Sequence, residues 1–100
     1  MSVLVLPQEL TQPQANACLH SLVQEMASLP GLEAVVDASP LNRFDSSALA
    51  VLLEFRRAAL AKGKRFSTQG LPKRLSDLAA LYGVLELLAA TPLNAPAPLN

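Results

Sequence analysis

Short unbroken apolar runs alternate along this chain with longer stretches in which apolar residues recur at helical spacing. Residues 2–6 (SVLVL) read as a short strand that Pro7 ends, as proline does at a strand terminus or on an edge. Thr11 then offers an N-cap, with Pro13 near a first-turn position where its missing N–H costs nothing. The helix this starts extends to Ser28 or Leu29 and stops at Leu29-Pro30-Gly31; Ala15, Leu19, Leu22, Val23 and Met26 form its inward stripe. Ala34, Val35 and Val36 predict a buried strand that ends at Asp37, and Ser39-Pro40-Leu41-Asn42 predicts a turn. Asp45, Ser46 and Ser47 follow, short polar side chains of the kind that cap a helix, and residues 48–61 contain no Gly or Pro and many helix formers. Lys62-Gly63-Lys64 closes this second helix, with Gly63 as its left-handed cap. Residues 65–69 predict a strand, and Gly70-Leu71-Pro72 turns it into a third helix. Leu75, Leu78, Ala79 and Leu81 are expected to face inward there, and Tyr82-Gly83 ends it. Residues 84–90 (VLELLAA) fit a last strand or a helical turn equally, and residues 91–100, with three prolines, read as a flexible tail.

This order predicts a small α/β domain over residues 1–90: a mainly parallel or mixed sheet of about four strands with three to four helices on it. In such sheets sites gather in loops beyond the carboxyl ends of strands, and residues 37–47 form one of these.

The second helix carries two signals. Ala48, Val51, Leu52, Phe55 and Ala59 make one apolar face, and Leu49, Leu53 and Leu60 widen it until the first two turns are apolar nearly all round. Either those turns are buried on both sides, or the flank is a docking surface for a partner. At the helix start, Asp45 or Ser46 is the N-cap. A phosphate on Ser46 or Ser47 would also be favoured there by the helix dipole and free N–H groups. On spacing alone the cap suffices.

Composition narrows the function classes. With 51% hydrophobic and only 4% aromatic residues, the core is one of Leu, Ala and Val. Eight basic residues cancel eight acidic ones, which argues against a nucleic-acid surface. Cys18 is the single cysteine, so no internal disulfide forms, which fits a reducing compartment. No apolar run approaches the roughly 20 residues that span a bilayer, and the N-terminus lacks the pattern of a secretory signal. The expected location is the cytoplasm. His20 and Cys18 have no clustered donors near them in sequence and read as a surface histidine and a core or boundary cysteine. No Gly-rich phosphate loop, HExxH or CxxC is present, and Ser46 beside Asp45 is a cap pattern, not a hydrolase triad; no catalytic residue, metal or cofactor is expected.

The segment VVDASPLNRFDSSALAVLLEF, with RFSTQG and LAALYGVLELL after it, resembles the STAS domain, the fold of bacterial anti-sigma-factor antagonists. It looks most like one branch, the small STAS subunit of the Mla phospholipid-transport ABC complex of Gram-negative bacteria. The resemblance covers residues 34–88 well and the N-terminal part in outline. It implies that Asp37 is the strand-end aspartate, Asp45-Ser46-Ser47-Ala48-Leu49 the signature, and Asp45 the residue that positions the loop and caps the helix. Ser46 matches the Ser/Thr that anti-sigma kinases phosphorylate; in the transporter branch the same position lies at the contact with the ATPase. Ser47 matches its neighbour. Asp45, Ser46, Ser47, Leu49, Ala50 and Leu53 then form the expected partner surface. The implied partner is an ABC transporter ATPase, which would place the chain at the inner face of the inner membrane through the complex. The alternative is an anti-sigma kinase released when Ser46 is phosphorylated. A homodimer through an exposed edge strand is also allowed. Three features depart from the family pattern: Ala48 stands for the usual Gly, the first strand of the family's sheet is missing, and the Pro-rich tail does not suit a long partner-binding helix.

Overall fold

The computed structural model describes residues 3–88. Five strands and three α-helices follow in the order β1 (Val3–Val5), β2 (Glu9–Leu10), α1 (Gln12–Ser28), β3 (Glu33–Asp37), β4 (Arg43–Phe44), α2 (Ser46–Ala61), β5 (Arg65–Gln69) and α3 (Lys73–Leu81). A single 3-10 turn over Leu85–Leu88 comes last. β1, β3 and β5 make a parallel sheet with β3 at its centre, in the register Leu4–Val36–Thr68 and Val3–Val35–Ser67.

Alternation along the strands decides which face meets the helices. Leu4, Ala34, Val36 and Phe66 are buried on one face, in one core with Leu22 and Met26 of α1, Leu52 and Phe55 of α2, and Leu75 and Ala79 of α3. The Phe55 and Phe66 rings meet at 6.0 Å between centroids, tilted by 59°, a favourable arrangement for two aromatic quadrupoles. No polar or charged residue is buried among the described residues, so the core holds by apolar burial alone.

Local chemistry explains the helix ends. Thr11 precedes α1, and the Gln14 side-chain oxygen accepts from both its backbone N–H (2.8 Å) and its hydroxyl (2.7 Å). Pro13 sits in the first turn, Gly31 at φ +96° follows the helix stop, and Gly63 at φ +75° terminates α2 as expected.

Several expectations change. The main sheet has three strands rather than about four. The further strand content is a separate parallel pair, in which Glu9 is opposite Arg43 and Leu10 opposite Phe44. Each of these strands has two residues, too short for any period to show, and β4 lies in what reads as polar loop. Residues 85–88 resolve the strand-or-helix ambiguity as a 3-10 turn, held to β5 by the Thr68 hydroxyl donating to the Leu88 carbonyl at 2.8 Å, with Leu88 buried. Leu81, expected to face inward, is 79% exposed. At about 100° per residue it stands about 200° around α3 from buried Ala79, on the opposite side. The expected tail at residues 91–100, and with it the boundary at residue 90, lies outside the described residues.

Candidate functional site

The loop from Asp37 to the start of α2 leaves the carboxyl end of the central strand and is tied to four other elements. Asp37 Oδ1 accepts from the Ser39 N–H at 3.0 Å, and that bond, helped by the Ser39 hydroxyl, holds its carboxyl below the usual carboxylate range. The Ala38 N–H donates to the Gln69 carbonyl at 2.8 Å, joining the loop to the end of β5. Ala38 and Leu41 are buried as anchors. The Gln8 carbonyl accepts from both the Asn42 N–H (2.8 Å) and the Arg43 N–H (3.0 Å), just before the β2–β4 pairing. Arg74 of α3 lies over the Phe44 ring, its guanidinium carbon 5.1 Å from the centroid.

Asp45 completes the frame. Its Oδ1 accepts from the Ser47 N–H at 2.8 Å, which makes it the N-cap of α2, and its Oδ2 accepts from the Gln12 N–H at 3.3 Å, at the first residue of α1. One carboxylate thus joins the starts of two helices. The Ser47 bond is the main reason its carboxyl is held below the usual range. Its capping role is the one expected from the sequence, whereas the bond to α1 spans 33 residues and left no local signal.

The predicted surface residues separate once placed. Ser46, the first residue of α2, is exposed; Ser47 is half-buried; Ala50 is exposed and Leu53 half-buried. Leu49, expected on the partner surface, is only 3% exposed and belongs to the core. The turn after α3 supplies two residues absent from the expectation. Tyr82 and Val84 face Ser46, Leu49, Ala50 and Leu53 across a shallow groove of about 310 Å³. Tyr82 is 59% exposed, and Leu81 and Leu85 beside it are exposed too. The signal for Tyr82 was an aromatic residue just past a helix end, where it is not needed for the core. The apolar first turns of α2 are therefore divided: Leu49 is buried in the core, whereas Ala50 and Leu53 border the open groove.

Residues 2–89 match the family model described as "Mlab, STAS domain". The chain belongs to this STAS-domain family. A solved structure, the SulP transporter STAS domain from Vibrio cholerae, superposes with a TM-score of 0.63 at 16% identity. The match covers 87% of this chain and 68% of that one and supports a shared fold. No curated protein matches the chain.

Within this STAS domain, Ala48 at the usual Gly position is fully buried in α2, so a methyl group is accommodated there. Among the described residues no three His, Cys, Asp or Glu side chains gather as a metal-binding set, and no helix is long and apolar enough to cross a membrane. His20 is exposed, and Cys18 is half-buried, with its thiol pushed up by burial. What the Ser46 site offers is an apolar groove beside a helix start, framed by a braced loop.

Proposed function

We propose that this STAS domain is a non-catalytic subunit that docks on the ATPase of an ABC phospholipid-transport complex and supports its assembly or activity. The observation that carries the reading is the open groove at the start of α2. Ser46, Ala50 and Leu53 recur at helical spacing, and Tyr82 and Val84 form the opposite wall. An apolar face on a helix start, rimmed by a hydroxyl and held by a rigid loop, suits the apolar side of a partner helix. Membership in the MlaB-type family favours a transporter ATPase as that partner. The exposed Ser46 hydroxyl also fits a second reading, an antagonist of an anti-sigma kinase. There, phosphorylation would add about −1.5 to −2 charges to the groove rim and release the partner.

The test is a pull-down of the full chain from its host beside Ser46→Asp and Ala50→Arg variants. Recovery of an ABC ATPase with its permease, lost with Ala50→Arg, supports the transporter reading. Recovery of a histidine-kinase-like ATPase that Ser46→Asp releases would replace it with the switch. If neither protein is captured, docking at this groove is refuted.

A further inference from the structure

A second cavity has no residue in common with the Ser46 groove. It is a cleft of about 530 Å³ between the outer edge of β1 and one side of α1. Val5 and Pro7 form one wall; Ala17, Cys18 and Ser21 form the other, all small residues at helical spacing. β1 pairs with β3 on one side only, and among the described residues no strand lies on its other side. The Leu6 N–H donates to the Asp37 carbonyl of β3 at 2.9 Å, so alternation turns the N–H and C=O of Val5 outward, toward the cleft. Val5 is 56% exposed. Pro7 takes the next outward position, where its lack of an N–H limits any added pairing to the stretch before it.

Charge defines what fits. The charged side chains lining the cleft are Glu9 and Glu25. Residues 1–42 contain Glu9, Glu25, Glu33 and Asp37 but no Lys or Arg; of the eight basic residues from Arg43 onward, Arg65 pairs with Glu33 at 2.8 Å and Arg43 stands opposite Glu9 in the β2–β4 pair, and none of the eight lines the cleft. A second copy paired edge to edge about a twofold axis would bring this acidic rim against itself, which disfavours it.

We propose that the β1 edge and α1 bind an extended, basic peptide segment of a protein partner, which adds to the sheet as a further strand. Main-chain hydrogen bonds to Val5 set its register, and alternate side chains of the segment lie over Ala17, Cys18 and Ser21. Lys or Arg residues flanking that apolar centre meet Glu9 and Glu25. The site is independent of the docking proposed for the Ser46 groove and survives if that reading fails.

The experiment titrates the full isotope-labelled chain with the probe acetyl-Lys-Val-Thr-Val-Lys-amide, followed by amide chemical shifts, with a glutamate-flanked peptide in parallel. The expected result is saturable binding with Kd of about 1 mM or tighter, and shifts concentrated at Val3, Val5 and the cleft side of α1. Ala17→Gln, at an exposed helix position that tolerates a longer side chain, weakens binding by about tenfold. The double variant Glu9→Lys/Glu25→Lys keeps the fold and exchanges the preference to the glutamate-flanked peptide. Absence of saturable shifts overturns the proposal, as do equal binding of the two peptides or shifts centred on Ser46 and Tyr82. A concentration-dependent dimer that Ala17→Gln abolishes would assign the cleft to a second copy and overturn it as well.

Discussion

Gly70→Ala tests whether the loop from Asp37 to Asp45 depends on one close backbone approach. Gly70 has φ +69°, and a Cβ there would stand 2.8 Å from Ser39 Cβ, 3.0 Å from Ser39 N and 3.1 Å from Asp37 Oδ1. The left-handed conformation alone costs an alanine about 1–2 kcal/mol. The lower entropy of the unfolded alanine chain returns about 0.4–1 kcal/mol of that. The contact with Ser39 adds an overpacking cost of about 1–3 kcal/mol, since the nearest atoms include backbone and cannot swing away. The sum lies between about 1 and 5 kcal/mol, with its centre near 3. Gly63 provides the internal control: its φ is +75° and nothing lies within 4 Å of its virtual Cβ, so Gly63→Ala should cost only the conformational share, about 1 kcal/mol. Urea unfolding of both variants gives the comparison, read as a lower midpoint at unchanged slope. Ser39→Gly in the Gly70→Ala background removes the nearest clashing atom and should recover about 1 kcal/mol as coupling in a double-mutant cycle. Equal losses at the two glycines, or no coupling with Ser39, would refute the claim that β5 braces the loop by close approach.

Phe55→Ala removes a fully buried ring and its contact with Phe66, and should cost about 3–5 kcal/mol in urea or thermal unfolding. Leu49→Ala should cost about 2–5 kcal/mol, whereas Tyr82→Ala, at an exposed site, should shift stability by less than about 0.5 kcal/mol while weakening partner capture. Asp45→Asn probes the acid limb of stability. The folded carboxyl titrates below its ordinary value, so its contribution is present above about pH 4 and lost as pH falls through the lower folded value. The variant should therefore show a flatter decline of the urea midpoint on acidification, and an unchanged decline would remove the Ser47 bond as its cause.

Much of the fold was legible because its signals are local. β5 and the helix-ending glycines at 31 and 63 depend on composition within a few residues, as does Thr11 as a cap, and each is found where the pattern placed it. What escaped rests on distant partners. The pairing of Glu9 with Arg43 and Leu10 with Phe44 involves two-residue strands about 34 positions apart, with no pattern for propensity to amplify. Leu81 was misplaced because leucine identity outweighed its angle on a nine-residue helix. The candidate site divides in the same way. Asp45, Ser46 and Ser47 follow from a capping pattern, but Tyr82 and Val84 join them only through the path of the chain after α3.

The two fates of neighbouring residues on α2 lead to a sharper criterion for the site. Leu49 and Ala50 are adjacent in sequence and about 100° apart on the helix, enough to bury one in the core while the other stays exposed at the groove they both line. A substitution that impairs docking by unfolding the domain and one that impairs it at the surface can therefore be separated within one helical turn. Leu49→Ala should lower stability and partner capture together. Ala50→Arg should leave the urea midpoint within about 0.5 kcal/mol of the original and still abolish capture, because a charged side chain then fills the groove between Leu53 and Tyr82. If Ala50→Arg retains capture at full strength, the apolar flank belongs to the fold alone, and the partner must dock elsewhere.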